Sequence, residues 1–300
     1  MSDIYELIII GGGPAGITAG IYSLRKRVKT LIISKDFRGQ VANTGLIENW
    51  PGEESISGVE LMEKFHSHLL SYNPKIKEEE VKEIKKDDYF SVITSESEYR
   101  AKSVIIATGR KPRKLGVPGE EKYSGKGVSY CATCDGPLFS NKKVAVIGGG
   151  NAGLETALEL SQYALKVTLL EKGEEVSGDE ILLDRVNKKG VEVIKKAKVK
   201  EFKGEDFLKS LTYLKEGKEE EIEVEGAFIT IGSIPITGFL KDLVDYNKRG
   251  EIEIDLYTCE TKTKGLFAGG DVSSKRDKQI VTATGDGCIM ALSAYNHLRK

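Results

Sequence analysis

Ile4-Tyr5-Glu6-Leu7-Ile8-Ile9-Ile10-Gly11-Gly12-Gly13-Pro14-Ala15-Gly16 decides how this 300-residue chain folds. The first seven residues are apolar nearly throughout and alternate little, as a parallel strand buried on both faces requires. The glycines that follow permit a tight turn and a close approach to a pyrophosphate. Pro14 opens a helix whose Ile17, Gly20, Ile21 and Leu24 fall at i, i+3, i+4 and i+7, so one face packs on the sheet. Strand, glycine loop and helix in this order make a dinucleotide cradle of Gly11, Gly13, Pro14, Ala15 and Gly16.

The same pattern returns in the middle of the chain. A strand at Lys143–Ile147 runs into Gly148-Gly149-Gly150-Asn151-Ala152-Gly153, and a helix follows with Leu154, Ala157 and Leu158 on one face. Gly148, Gly150, Asn151, Ala152 and Gly153 are the candidate contacts of this second cradle. The strands after the two cradles, Val28–Ile33 and Lys166–Leu170, end at the same offset past their loops, on Ser34 and on Glu171. The fingerprint wants an acid there to hold a ribose. Only Glu171 supplies one, and its charge would repel a 2'-phosphate, so the second site favours NADH over NADPH.

Between the cradles lies Cys131-Ala132-Thr133-Cys134-Asp135. Two sulfurs on one turn suit a pair that cycles between dithiol and disulfide. Zinc would need a second set of ligands, whereas Cys259 and Cys288 stand alone and no histidine lies near the pair, so no metal is expected. Asp135 could act as the proton donor of thiol exchange, or merely cap the turn. A hydride donor does not efficiently reduce a disulfide directly, which calls for a flavin between them and assigns FAD to the first cradle. Asp271, after the strand Gly265–Ala268, could bind a hydroxylated chain such as ribityl or cap its own turn. The last helix, expected from about residue 282 to 297, opens with small residues that leave its amide end accessible.

Length and composition agree with two domains, each able to bury a core. A net charge of −1 does not advertise nucleic acid or an anionic membrane, and the apolar runs are strand-sized. The chain meets its first strand almost at once, from which a cytoplasmic protein without a secretory leader is expected. Lys111-Pro112-Arg113-Lys114, with Pro118 and Gly119 soon after, and a proline link at 234–237 read as linkers. A charged stretch, 191–224, carries the alternation of a small antiparallel layer.

The motifs taken together resemble those of the low-molecular-weight thioredoxin reductases: GGGPAG, ENWPG at 48–52, ATG at 107–109, SYCATCDG at 129–136, GGGNAG, GGDV followed by Gln279, and TATGDG at 282–287. The resemblance runs the full length in order. It implies an α/β fold of two Rossmann-like dinucleotide-binding domains, the second inserted into the first: an FAD domain at 1–112 and 240–300, and a pyridine-nucleotide domain at 113–239. It implies a homodimer in which Cys134 faces the flavin, Cys131 is exposed and attacks the disulfide of thioredoxin, Asp135 is the acid/base, and the inserted domain rotates in each turnover. The FAD contacts it implies are the first cradle with Gly39, Gln40, Asn49, Ala107, Thr108, Gly109, Gly270, Asp271, Gln279 and Ile280; Gly232 joins the nucleotide site. Family members usually carry a His-Arg-Arg run for NADPH where this chain has Glu171-Lys172-Gly173-Glu174-Glu175. NADH is therefore the expected donor, with reduced ferredoxin or a deazaflavin as the alternative. Reductases of peroxide-removing systems resemble this chain too but usually carry extra N-terminal domains, and a flavoprotein that only senses redox state is a further reading.

Overall fold

The computed structural model describes residues 4–37, 39–43 and 46–300. The chain divides into two compact units: the second is residues 112–233, and the first takes the chain before and after it, apart from 43–45. In chain order the first unit holds β1 (Ile4–Ile10), α1 (Pro14–Arg25), β2 (Thr30–Ile33), the short pair β3 (Leu46–Ile47) and β4 (Ile56–Ser57), α2 (Gly58–Leu70), β5 (Lys75–Lys77), β6 (Val81–Lys86), β7 (Phe90–Thr94) and β8 (Glu98–Ile106). A crossing strand β9 (Arg110–Pro112) leads to β10 (Val128–Ser129), the one-turn helix α3 (Ala132–Asp135), β11 (Lys143–Ile147), α4 (Asn151–Leu160), β12 (Lys166–Leu170), α5 (Glu180–Lys188) and β13 (Glu192–Ile194). The hairpin strands β14 (Ala197–Gly204), β15 (Leu208–Lys215) and β16 (Lys218–Glu223), then β17 (Gly226–Ile229) and the returning β18 (Ser233–Pro235), complete it. The first unit closes with β19 (Leu266–Ala268) and α6 (Ile280–Leu298).

In the first unit, β5, β2, β1 and β8 pair in parallel, with Ile9 beside both Ile32 and Ile105. The far side of β8 is shared: its early residues pair antiparallel with β7, and Val104–Ile106 pair in parallel with β19. Leu7 to Ile10 are at most 3% exposed, which explains a strand with no polar alternation. Below the sheet, α6 lies against α1, and a Cβ on Gly287 would strike the carbonyl of Ala15, so the two helices meet backbone to backbone. The second unit repeats the plan with five parallel strands ordered β10, β17, β11, β12, β13, beside an antiparallel sheet of β14, β15 and β16.

Several boundaries differ from the sequence reading, each for a local reason. The second strand begins at Thr30 and not Val28, because Arg27 takes φ +56° and the Val28 amide closes the end of α1 on Ser23 O at 3.1 Å. The last helix begins two residues early, at Ile280: Gln279 caps it, its amide donating to Thr282 Oγ1 at 3.1 Å. The return to the first unit falls at 233–234, where the sequence placed it at 239–240. Ile236 N bonds Gly109 O at 3.1 Å, and Phe239 and Leu240 join the core of the first sheet. Among the described residues no helix is long and apolar enough to cross a membrane.

Candidate functional site

In the first unit the glycine loop is pressed against a neighbouring strand end. Gly11 has φ +120°, and a Cβ there would overlap the carbonyl of Ala107. Gly13 differs: its φ is −83°, and no atom lies within 4 Å of where its Cβ would stand. Neither strain nor packing demands a glycine there, so its effect is to leave the amide end of α1 open. Pro14 occupies the first helical position, where its missing N–H costs nothing.

The other candidates of the first site converge on this edge. Gly39 stands 3.6 Å from Gly13 Cα by its Cβ position, and its amide donates to Asp36 Oδ1 at 2.8 Å. Gln40 donates to Arg110 O at 2.6 Å, beside Ala107, Thr108 and Gly109 at the end of β8. Asn49 donates to Gln279 Oε1 at 3.3 Å, joining the ENWPG segment to the start of α6 at Ile280. The Cβ position of Gly270 is 3.1 Å from that of Ala15, which brings the turn carrying Asp271 to α1. Burial pushes the Asp271 carboxyl up, against the pull of Lys278 and Arg110.

A buried charge cluster behind this edge was not singled out from sequence. Glu251, 4% exposed, accepts from Arg110 Nη1 at 2.9 Å and from Asn247 Nδ2 at 2.8 Å, with Lys278 Nζ at 3.4 Å. Burial alone would raise its carboxyl, but Asn247, Lys278 and Arg110 hold it below the usual range. Asp286, 3% exposed, accepts from Gly270 N at 2.9 Å and pairs with Lys275. Its only sequence signal was membership of TATGDG. Cys259 is fully buried, as an isolated core cysteine should be, and burial pushes its thiol up to about 11.

In the second unit Gly148 has φ +113°, and a Cβ there would stand 2.6 Å from Thr230 O. Gly150 is the counterpart of Gly13, extended at φ −80° with only Ser177 Oγ near, at 3.9 Å. Asn151 and Ala152 are exposed at the start of α4, Gly153 packs on the Gly148 carbonyl, and Gly232 follows β17, accepting from Arg113 N at 2.9 Å. Glu171 stands at the end of β12, its two carboxylate oxygens taking the amides of Gly149 and Gly173 at 2.6 Å each. The acid therefore belongs to the loop itself. The amides of Ser177 and Gly178 bond Gly149 O at 3.0 Å each, and Asn151 and Asp179 bond reciprocally at 3.0 and 2.7 Å.

Cys131 and Cys134 form a disulfide with Cα atoms 5.4 Å apart. Cys131 caps α3, its sulfur accepting from Cys134 N at 3.1 Å, and is half-buried, whereas Cys134 is exposed. Asp135 is half-buried and accepts the Ser129 hydroxyl at 2.6 Å, while Ser129 Oγ accepts the Cys131 amide at 3.0 Å. The carboxyl is thus tied to the start of the redox turn, and an exposed cap is not its geometry.

Known proteins share both the sequence and this architecture. A thioredoxin reductase of Bacillus subtilis is 39% identical over 303 residues, covering 99% of this chain and 96% of its own. The crystal structure of Lactococcus lactis thioredoxin reductase superposes with a TM-score of 0.94 at 39% identity, covering 98% of this chain and 99% of that one. An NADH dehydrogenase of Ferdinandcohnia aciditolerans is 38% identical over 301 residues, 99% of this chain, but the chain spans only 58% of that relative's length. Residues 5–287, with both cradles and the cysteine pair, match one family over nearly the whole chain, and the chain belongs to the pyridine nucleotide-disulphide oxidoreductases.

Proposed function

We propose that the protein is a thioredoxin-disulfide reductase that takes electrons from NADH, or less readily NADPH, and delivers them through the Cys131–Cys134 pair to thioredoxin, acting as a homodimer. The observation that carries the reading is a disulfide on a one-turn helix in a unit that also holds a nucleotide cradle. The full-length likeness to thioredoxin reductases supports it. FAD, bound in the first cradle, supplies the two-electron relay between a nicotinamide and a disulfide.

The residues present fit that cofactor. The space kept at Gly13 leaves the amide end of α1 open to a pyrophosphate, and the first turn of α1 holds no acidic residue to oppose one. Gly39, Gln40, Asn49, Ala107, Thr108, Gly109, Gly270 and Asp271 would hold the rest, with Gln279 and Ile280 at the amide end of α6. In the second cradle, the Glu171 charge disfavours a 2'-phosphate and Gly150 leaves the helix end open. At the redox turn, the Cys134 amide donated to the Cys131 sulfur stabilises a thiolate there, so Cys131 attacks the disulfide of thioredoxin and Cys134 resolves the mixed disulfide. Asp135, aligned by Ser129, holds the exchanged proton beside the Cys131 amide.

The test is anaerobic mixing with NADH, NADPH or reduced ferredoxin, followed by thioredoxin. Flavin absorbance should bleach fastest with NADH, and thioredoxin should then turn over. Cys134→Ser should still bleach but lose turnover and trap thioredoxin on Cys131. Bleaching by neither nucleotide would move the donor to ferredoxin or a deazaflavin, and retained turnover in Cys134→Ser would sink the assigned roles.

A further inference from the structure

The helix α4 begins at the second cradle and ends beneath the redox turn. Its Leu154, Ala157 and Leu160 are fully buried and share one cluster with Ala132 and Phe139 from the cysteine segment, so its last turns form a fixed floor under α3. Two polar side chains interrupt that floor. Thr133, between the two cysteines, donates its hydroxyl to Glu159 Oε2 at 3.2 Å. Burial pushes the Glu159 carboxyl up, and the Thr133 hydroxyl pulls it back. In the turn after the helix, the Tyr163 hydroxyl is buried with no hydrogen-bond partner among the described residues and lies where a Cβ on Gly136 would strike it. Burial, reinforced by the Glu159 charge, pushes that phenol up to about 12, which keeps it neutral.

We propose that Glu159 is a positioning residue for the Cys131–Cys134 pair: held by Thr133, its negative charge opposes thiolate formation in the turn and makes the reduced pair a stronger electron donor. The inference rests on the redox reading of the pair made above. Reduction breaks the one S–S bond, adds two electrons and two protons, and leaves two thiols, one of which ionises to act as nucleophile. Pairs whose reduced form is stabilised as thiolate are strong oxidants, so a charge that opposes the thiolate shifts the pair the other way. The Cys134 amide favours the Cys131 thiolate, and Glu159 limits that effect. The turn keeps a nucleophile without becoming an oxidant.

The protein as isolated, Glu159→Gln and Glu159→Asp are equilibrated with dithiothreitol buffers, in which the small dithiol gives up two electrons and two protons and closes to its own cyclic disulfide. Alkylation and mass measurement give the fraction of open pair. Glu159→Gln keeps an acceptor for Thr133 without the charge and should shift the exchange constant about tenfold toward the open pair, which is about 30 mV for this two-electron couple. Glu159→Asp keeps the charge and should stay within about twofold of the parent. An unchanged constant in Glu159→Gln, or equal shifts in both variants, overturns the inference while the redox reading stands. A parent pair that opens in none of the buffers overturns both.

Discussion

The two glycine cradles are built alike at the loop and differently around it. Gly11 and Gly148 take φ +120° and +113°, a region other residues rarely adopt, and each is pressed onto a strand-end carbonyl, Ala107 O or Thr230 O. Gly13 and Gly150 share the extended backbone and the open space at the helix start. Beyond the loops the likeness ends. The first unit ends its second strand on Ser34 and keeps its charge behind the site, in the buried group of Arg110, Glu251, Lys278, Lys275 and Asp286. The second sets a carboxylate, Glu171, on the loop amides, and its described ion pairs join exposed side chains. The two cradles thus share the open helix end and differ in the charge set around it.

The sharpest way to break this comparison is to damage one cradle at a time. Gly11→Ala forces a Cβ into the Ala107 carbonyl at an unfavourable φ, and Gly148→Ala does the same against Thr230. Overlap and backbone strain of this kind cost about 1–3 kcal/mol each. Gly11→Ala should yield protein without bound flavin. Gly148→Ala should retain the flavin, which dithionite bleaches but NADH no longer does. Absorbance spectra of the two purified variants decide it, and loss of flavin from both would show that the cradles do not have separate tasks.

The next effect concerns the buried charge of the first unit. Glu251→Gln leaves Arg110 and Lys278 near a neutral amide in a site of low exposure, and removing one partner of such a group costs about 3–5 kcal/mol. The sign with pH follows from the depressed carboxyl. A group held below its unfolded value, near 4.5, stabilises the fold above that value and loses the contribution as pH falls through the lower folded value. The parent should therefore lose melting temperature steeply in acid, and Glu251→Gln should start lower and depend on acid less. Parallel acid profiles would mean that Glu251 does not carry the linkage.

The two cradles were legible in the sequence because strand, loop and helix are adjacent, and each residue's task there is local. Glu171 was legible by its offset from Gly148, although its hold on the Gly149 and Gly173 amides was not. The buried cluster was not legible, since Arg110 and Glu251 are separated by 141 positions and meet only once the chain returns after the insertion. Thr133 and Glu159 are hidden for the same reason: an ordinary helix carboxylate acquires meaning only when α4 is placed under α3. Which of the two cysteines caps the turn was not legible either, because sequence spacing does not say whose sulfur accepts the amide of the other.

The smallest effect tests the feature that most separates the cradles. Glu171→Ala removes the carboxylate while leaving the loop glycines in place, and the Gly149 and Gly173 amides lose their acceptor. A 2'-phosphate would then meet two amide donors in place of a negative charge. NADH should weaken and NADPH improve, narrowing the ratio of their kcat/KM values by roughly tenfold, the worth of about 1.4 kcal/mol between competing substrates. Adding Lys172→Arg should carry the ratio further toward NADPH, because a guanidinium beside the emptied position can grip phosphate bidentately. A ratio unmoved by Glu171→Ala would place the discrimination elsewhere, and the acid at the end of β12 would then be only the keystone of its own loop.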